Sequence, residues 1–225
     1  MDALTERAAI HAALGEPVRL GIAEELAVTD RSPTELANRF DISPNLLAYH
    51  LAVLEQVGMI ERFVSAGDQR RRYVRLRRDP LQSLGLVPAT PAGPVLFVCS
   101  HNSARSQLAA AIWAARTGSP ATSAGTHPAE RVHPGAVAAA TRAGLDLGSA
   151  VPRLIDPDAD PGLVVTVCDR AHEELDPPPE WWHWSLPDPI EDGRDAAFDA
   201  VVEELDERIR TVATPPGGAA IGAPR

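Results

Sequence analysis

The sequence contains no lysine, so all 21 of its basic residues are arginine, and it contains only two cysteines, Cys99 and Cys168. Two cysteines are too few for a disulfide scaffold and are typical of proteins in a reducing compartment. The sequence also lacks an apolar run of about 18 residues, which a membrane-spanning helix needs. Its first residues are charged and amphipathic, unlike a signal peptide. We therefore expect a soluble cytoplasmic protein with no membrane contact.

Acidic residues are in excess, but the excess is confined to one part of the chain. The net charge is −10, and 44% of the residues are hydrophobic, enough to build a core. Residues 1–92 carry 11 arginines against 12 acidic residues, whereas residues 93–225 carry 10 against 19. Six arginines fall between Arg70 and Arg78. A local basic cluster in an acidic chain indicates contact with nucleic acid near one end.

The N-terminal part carries the pattern of a winged helix-turn-helix domain. Two helix starts, Ser32-Pro33-Thr34-Glu35 and Ser43-Pro44, combine a capping serine with a proline at the first helical position. The two short helices that they predict are separated by Asp41-Ile42, which is the sequence form of a helix-turn-helix. Two alternating segments, residues 59–64 and 71–76, follow and predict a β-hairpin. A mainly α, DNA-binding domain is therefore expected.

The stretch that joins the second of these helices to the hairpin reads Leu51-Ala52-Val53-Leu54-Glu55-Gln56-Val57-Gly58-Met59-Ile60. It resembles the ArsR-type, or arsenic repressor, family of winged helix-turn-helix proteins, and the resemblance covers about residues 1–78. The resemblance implies that the domain binds operator DNA as a homodimer formed through its first helix. We expect no metal site in this half, because residues 1–98 contain no cysteine and their histidines lack ligand spacing.

Polar side chains on the second helix and arginines on the hairpin are the candidates for DNA contact. The helix would enter the major groove and reach base edges, and the arginines would meet phosphates. The candidates on the helix are Ser43, Asn45, Tyr49 and His50, and those on the hairpin are Arg70, Arg71 and Arg72. For Tyr49 and His50, packing within the domain or simple exposure to solvent remains an open alternative.

After a linker rich in proline and glycine at residues 79–93, the pattern changes to alternating strands and helices. Strands are expected at 95–98, 121–124, 163–167 and 181–184, and helices at 106–116, 134–143 and 196–212. The apolar, β-branched run of the third strand is typical of a parallel sheet that is buried on both faces. We therefore predict an α/β doubly wound domain at 94–213, with its site at a strand carboxyl end, and a disordered tail at 214–225.

One stretch of this domain carries chemistry, Cys99-Ser100-His101-Asn102-Ser103-Ala104-Arg105-Ser106, which follows the first predicted strand. Backbone N–H groups at a helix start favour anions and lower the pKa of a thiol. The guanidinium of Arg105 adds a bidentate contact for a tetrahedral oxyanion. The stretch predicts a nucleophilic thiolate within an oxyanion-binding loop, and a buried, inert thiol is the alternative interpretation of Cys99.

Three motifs lie in the C-terminal half: Cys-x5-Arg-Ser at 99–106, Ser123-Ala124-Gly125-Thr126, and Leu186-Pro187-Asp188-Pro189. Together they resemble the low-molecular-weight protein tyrosine phosphatase fold, and more closely its arsenate reductase branch. The resemblance implies that Cys99 is the nucleophile, that Arg105 grips the oxyanion, and that Asp188 is the general acid. A turn aspartate is the alternative for Asp188. The implied oxyanion-binding loop consists of Ser100, His101, Asn102, Ser103, Ala104, Arg105 and Ser106, in which Ser106 would hydrogen-bond the thiolate and Asn102 would support the strained backbone.

Two residues favour arsenate over phosphotyrosine as the substrate. Gln107 stands where tyrosine phosphatases of this fold usually have proline, and Cys168 stands where thioredoxin-coupled reductases carry an intermediate cysteine. A second thiol can supply the electrons that arsenate reduction needs. The third cysteine of those reductases is replaced by Leu175, so turnover would need an external thiol that attacks either the Cys99–arsenate adduct or a Cys99–Cys168 disulfide. Mycothiol with a redoxin, or thioredoxin, would serve. A small buried residue at a strand end is the alternative for Cys168.

The sequence therefore predicts a DNA-binding regulator fused to an arsenate reductase that has no bound cofactor or metal. Its expected partners are operator DNA, an arsenate or phosphate oxyanion, a thiol or redoxin reductant, and a second copy of the chain. Two alternatives remain open. The second domain would either sense an oxyanion or the redox state without turnover, or act as a tyrosine phosphatase tethered to DNA.

Overall fold

The computed structural model describes residues 3–77, 93–156 and 162–213. Apart from Gly93, the linker predicted at residues 79–93 lies outside the described residues, and so does the tail predicted at 214–225. The domain boundaries that were inferred from composition therefore stay predictions.

The N-terminal domain is built from helices and one hairpin, as predicted. The helices are α1 (Ala3–Leu14), α2 (Pro17–Leu26), α3 (Pro33–Arg39) and α4 (Pro44–Gln56), and the strands are β1 (Ile60–Val64) and β2 (Arg72–Leu76). Ser32 begins α3 with a complete capping box, and Ser43 caps α4. Gly58 ends the segment after α4 with φ of +73°, a conformation that favours glycine. The two strands pair antiparallel, which confirms the predicted winged helix-turn-helix.

The C-terminal domain contains a parallel sheet between helices, which confirms the predicted α/β architecture. Its strands are β3 (Val95–Cys99), β4 (Ala121–Gly125), β5 (Leu163–Thr166) and β6 (Trp182–His183), and its described helices are α5 (Arg105–Thr117), α6 (Pro134–Arg142), α7 (Asp169–Leu175), α8 (Pro189–Asp192) and α9 (Asp195–Ala213). The strand order is β4-β3-β5-β6, and every neighbouring pair is parallel. All five residues of β3 are buried, as expected for a central parallel strand.

The order of the strands decides where the two cysteines lie. Because β3 and β5 are parallel neighbours, their carboxyl ends meet at one edge of the sheet. The N–H group of Val167 donates to the carbonyl of Val98 at 2.7 Å, so the chain beyond β5 continues beside the chain beyond β3. Cys99 ends β3, and Cys168 follows β5. Both thiols are therefore held at the edge where ligands bind in open parallel sheets.

Two short helices were not predicted, and both adjoin the site. Helices α7 and α8 have seven and four residues, too few for an apolar period to stand out. The first is capped by the sulfur of Cys168 rather than by a serine or aspartate, so no start signal marks it. The final strand is also shorter than the expected segment at 181–184, because only Trp182 and His183 join the sheet.

The two domains are packed together through buried charges. The loop between α2 and α3 inserts Asp30, whose side chain is 2% exposed, against the C-terminal domain. Its carboxylate accepts hydrogen bonds from Arg208 on α9 at 3.2 Å and from the N–H group of Ser185 at 2.8 Å. Its own N–H group donates to the carbonyl of His183 at 2.7 Å. The sequence gives no signal of this contact, because 178 residues separate Asp30 from Arg208.

Among the described residues, no helix combines the length and the apolar character that crossing a membrane requires.

Replacing Asp30 with alanine should destabilise the protein, because it leaves the buried guanidinium of Arg208 without this counter-charge. Removing one partner of a buried ion pair costs about 3 kcal/mol or more. Urea denaturation should show that loss in the free energy of unfolding. The matched control is Asp199→Ala on α9, which breaks an exposed pair with Arg142 and should cost less than about 1 kcal/mol. Equal losses in the two variants would contradict a buried electrostatic link between the domains.

Candidate active site

The thiol of Cys99 lies at the start of α5, beneath the loop that joins β3 to this helix. Its side chain is buried, with 2% of the residue exposed. The sulfur lies 3.0 Å from Oγ of Ser106 and accepts a hydrogen bond from the N–H group of Asn102 at 3.2 Å. Within the described chain no side chain caps the start of α5. A helix start of this kind directs backbone N–H groups toward an anion.

Asn102 holds the loop in its conformation. It is fully buried and adopts φ of +47°, a left-handed conformation that asparagine tolerates better than most residues. Its Nδ2 donates to Oγ of Ser106 at 2.8 Å, so the hydroxyl hydrogen of Ser106 is left to point at the sulfur of Cys99. Its Oδ1 accepts from the N–H group of Arg153 at 2.8 Å. Asn102 thus supports the loop through its hydrogen bonds to Ser106 and Arg153.

Two residues support this loop in ways that the sequence did not reveal. Nε2 of Gln107 donates to both the carbonyl and Oδ1 of Asn102, each at 3.1 Å. Gly125, in the Ser-Ala-Gly-Thr motif, lies so close to the loop that a Cβ would be 2.7 Å from the carbonyl oxygen of Ser100. Gln107 was singled out as a departure from tyrosine phosphatases and Gly125 as part of a motif, but only the fold shows that they contact Asn102 and Ser100.

The guanidinium of Arg105 is held by the segment that precedes α8. Its Nη2 donates to Oδ2 of Asp188 at 2.5 Å, and its Nη1 donates to the carbonyl of Leu186 at 3.0 Å. The other carboxylate oxygen of Asp188 caps α8 by accepting from the N–H group of Ile190 at 3.0 Å. Arg105 and Asp188, both predicted as site residues, therefore lie in one site. Asp188 occupies a donor of the same guanidinium that would bind an oxyanion.

Cys168 lies against the same loop, on the side of β5. It is 1% exposed, and its sulfur is 3.2 Å from Oγ of Ser100, the residue after Cys99. The same sulfur accepts from the N–H group of Ala171 at 3.3 Å and so caps α7. The position is thus more than a strand end, because one sulfur contacts both the oxyanion-binding loop and the start of a helix.

Burial decides the direction in which the pKa of Cys99 is shifted from its ordinary value. Loss of solvent raises the pKa of this thiol, while the Arg105 guanidinium and the Ser106 hydroxyl act in the opposite direction and lower it. The nearby Cys168 thiol raises it further. The sequence predicted a lowered pKa, and this is wrong for the arrangement described here. The physical reason is burial, which outweighs the effects of the Arg105 guanidinium and the Ser106 hydroxyl on this pKa.

The remaining loop residues differ in exposure. Ser100, Ser103 and Ala104 are buried, at 5% exposure or less. His101 is exposed, and its Nδ1 lies 3.0 Å from the carbonyl of His127. His101 therefore sits at the rim of the loop, while the serines form its interior. In the parts of the chain that the structure describes, no three metal-binding side chains come together as a metal site would require.

Three of the four helix candidates for DNA contact are exposed on α4, and one is not. Ser43 and Asn45 are exposed, and Tyr49 is 60% exposed. His50 is only 5% exposed, and its Nδ1 lies 3.4 Å from Oε2 of Glu16. The prediction that His50 faces DNA is wrong, because one residue turns the helix by about 100° and carries it to the face of Leu47, Leu51 and Leu54.

The hairpin candidates are all exposed. Arg70 and Arg71 lie in the turn between β1 and β2, and Arg72 is the first residue of β2. The side chain of Arg70 is 91% exposed and pairs with Asp68 at 3.0 Å. Nη1 of Arg72 donates to the carbonyls of Gln69 and Arg71. These arginines are free to approach an external phosphate at the cost of weak surface contacts.

Comparison with known proteins identifies both domains. A family model for low molecular weight phosphotyrosine protein phosphatase matches residues 94–215, and a helix-turn-helix domain model matches residues 14–62. An arsenate reductase of Bacillus licheniformis is 35% identical over 132 residues, which are 53% of this chain and 94% of the relative. A helix-turn-helix domain thus precedes the phosphatase-like domain in one chain.

Some solved structures also resemble part of this chain. An arsenate reductase from Archaeoglobus fulgidus is 28% identical, covers 53% of this chain and 98% of its own, and has a TM-score of 0.44. The YwlE arginine phosphatase from Geobacillus stearothermophilus is 20% identical, covers 54% and 90%, and has a TM-score of 0.47. From the family model and the curated relative, the chain belongs to the low molecular weight phosphotyrosine protein phosphatase family.

Proposed function

We propose that the protein is a DNA-binding regulator whose C-terminal domain reduces arsenate to arsenite with Cys99 as the nucleophile. The observation that carries the proposal is the second thiol, Cys168, which contacts the oxyanion-binding loop through Ser100 at 3.2 Å. A phosphoryl-enzyme intermediate needs only water to resolve it, whereas an arsenic adduct needs a thiol that delivers electrons. The 35% identity to a protein named arsenate reductase points to the same chemistry.

Binding would begin with competition for Arg105. Its guanidinium presents two donors that contact Asp188 and Leu186 in the described arrangement. A tetrahedral oxyanion above Cys99 would accept from that guanidinium and from the backbone N–H groups of the loop. Asp188 would then be released from the ion pair and remain beside the oxyanion. This is the position that a general acid needs to protonate the leaving oxygen.

The first chemical step joins sulfur to arsenic. The sulfur of Cys99 attacks As(V), an S–As bond forms, and one As–O bond breaks. The leaving oxygen departs as water: Asp188, once released from Arg105, takes up a proton from solvent and passes it to this oxygen. The proton of the Cys99 thiol is taken up by the bound oxyanion. Burial raises the pKa of Cys99, and the oxyanion bound above the sulfur would accept its proton. Arsenic keeps its oxidation state in this step.

The second step transfers two electrons. The thiolate of Cys168 attacks the sulfur of Cys99, an S–S bond forms and the S–As bond breaks. The electron pair of that bond stays on arsenic, which becomes As(III) and leaves as arsenite. Cys99 and Cys168 are thereby oxidised to a disulfide. Leu175 occupies the place where a third cysteine would stand, so an external thiol has to reduce this disulfide; we propose mycothiol with a redoxin, or thioredoxin, for this role.

The DNA-binding role would use the exposed faces of the N-terminal domain. Asn45 and Tyr49 project from α4, and arginines at the turn of the hairpin could neutralise phosphates. We propose that two copies of the chain bind a two-fold symmetric operator through contact between their α1 helices. Leu4, which is 69% exposed on α1, supplies apolar surface for such a contact.

Cys168→Ser should abolish arsenate reduction without abolishing phosphatase-type chemistry, because serine cannot take part in the electron transfer. Arsenite release should fall at least a hundredfold, to the level of Cys99→Ser, with thioredoxin, glutaredoxin and mycothiol systems supplied in turn. Any hydrolysis of para-nitrophenyl phosphate should survive in Cys168→Ser and disappear in Cys99→Ser. Arsenite release that is unaffected by Cys168→Ser would refute the proposed electron transfer. Phosphate ester hydrolysis without arsenite release would instead indicate a phosphatase.

Asp188→Asn should lower the pKa of Cys99, because it removes the carboxylate that neutralises Arg105. The pH dependence of alkylation by iodoacetamide, measured in a Cys168→Ser background, should shift down by about one pH unit. Asp192→Asn, at the other end of the short helix that Asp188 caps, is the control, since its carboxylate pairs with Arg194 at the surface. An unchanged profile in Asp188→Asn would show that this carboxylate does not oppose the thiolate.

Tyr49→Ala and His50→Ala should separate DNA contact from folding. Tyr49→Ala should weaken binding to a duplex selected from a random library by the native protein, by about tenfold at fixed salt. Its unfolding midpoint should remain close to that of the native protein. His50→Ala should lower the unfolding midpoint instead, because it leaves a gap beside the core of α4. Anisotropy titrations and urea denaturation report the two quantities, and the reverse pattern would reject the proposed face.

A further inference from the structure

Helix α7 connects the active site to the hairpin of the DNA-binding domain. The wing loop, defined as residues 65–71 between β1 and β2, lies on this helix. Oδ2 of Asp169 accepts from the N–H group of Ala66 at 2.6 Å. Oε2 of Glu173 accepts from the N–H group of Asp68 at 2.8 Å, and its Oε1 accepts from Oγ of Ser65 at 2.7 Å. Two carboxylates of one helix therefore bind the backbone of the wing loop.

The fit between the wing loop and α7 is close. A Cβ on Gly67 would lie 2.6 Å from Oε2 of Glu173 and 3.0 Å from the backbone nitrogen of Arg170. Behind the loop, Tyr73 on β2 is 1% exposed, and its ring centre lies 4.8 Å from that of His183 in the C-terminal domain. The position of the wing loop therefore depends on that of α7. A large shift of this helix would break both the close contact at Gly67 and the hydrogen bonds to the loop.

The other end of α7 depends on the sulfur of Cys168. That sulfur caps the helix through the N–H group of Ala171 and touches Ser100 in the oxyanion-binding loop. A seven-residue helix has little stability of its own and relies on its cap and its packing. A bond from Cys168 to Cys99 would draw its sulfur toward the loop and away from the N–H group of Ala171. The first turn of α7, which includes Asp169, then loses its cap.

We propose that α7 transmits the oxidation of Cys168 to the wing loop, so that a Cys99–Cys168 disulfide releases the wing and weakens DNA binding. This inference rests on the proposed function, in which that disulfide forms when As(V) takes up the two electrons of the thiols. Release of the wing loop weakens DNA binding, because Arg70, Arg71 and Arg72 are then mobile and the entropy lost in ordering them opposes binding. Redox control of DNA affinity would thus be built into the contact between the two domains.

Hydrogen exchange of the full-length protein tests the transmission directly. Diamide, an azo compound that oxidises pairs of thiols, takes up two electrons and two protons from Cys99 and Cys168 and leaves a disulfide between them. Mass spectrometry should show a loss of 2 Da, and exchange of the amides in peptides covering the wing loop should accelerate at least tenfold. If the 2 Da loss does not occur, or if the wing exchanges at the same rate in the disulfide form, the proposal is overturned.

Variants of Cys168 separate the cap from the disulfide. Serine can cap α7 but cannot be oxidised to a disulfide, so Cys168→Ser should exchange slowly with and without diamide. Alanine provides no cap, so Cys168→Ala should show accelerated wing exchange already under reducing conditions. Slow exchange in both variants would show that the cap does not hold the wing, and would overturn the proposal.

DNA affinity provides the second readout, with a duplex selected from a random library by the reduced protein. Diamide should raise the dissociation constant at least tenfold in the native protein and leave Cys168→Ser unchanged. Glu173→Gln, which weakens the hold on the wing loop, should reduce the effect of diamide, whereas Glu174→Gln, whose carboxylate faces Thr126, should not. Wing release without a change in affinity would refute the link to DNA. Because diamide replaces arsenate, a failed arsenite assay leaves these outcomes unaffected.

Discussion

The parallel pairing of β3 with β5 is the constraint on which the rest of the structure depends. Register places the end of β3 beside the end of β5, so Cys99 and Cys168 emerge at the same edge of the sheet although 69 positions separate them. The loop after Cys99 forms the oxyanion cradle, and the helix after Cys168 reaches the wing of the other domain. A single pairing of strands therefore connects the proposed chemistry to the proposed regulation.

The DNA-binding domain also supports the segment that carries the candidate general acid. Nη2 of Arg75, on β2, donates to the carbonyl of Ser185 at 2.7 Å, and the N–H group of Ser185 donates to Asp30. The next residue, Leu186, accepts from Arg105. The helix-turn-helix domain thus contacts two chain segments beside the oxyanion-binding loop, the segment at Ser185 that leads to Asp188 and helix α7. This arrangement explains why the proposed oxyanion chemistry and DNA binding need not be independent in this chain.

The sequence predicted those features that rest on local signals. Capping serines marked α3 and α4, and alternating apolar residues marked the hairpin and the strands, because these patterns reflect contacts within a few residues. Helix α7 was missed, because its cap is a cysteine and its partners lie on the wing. His50 was misassigned, because polarity alone does not tell which face of a helix a residue occupies. The buried pair of Asp30 and Arg208 depends on tertiary packing and has no local signal.

The central claim is that Cys99 and Cys168 act as one two-electron pair toward arsenate. A single-turnover reaction tests it most directly. The fully reduced protein is mixed with arsenate in the absence of any external thiol, then trapped with an alkylating agent and analysed by mass spectrometry. The account predicts one arsenite per chain, a 2 Da loss, and a peptide in which Cys99 is linked to Cys168. Arsenite formed while Cys168 remains free to alkylate, or no arsenite at all, would contradict it.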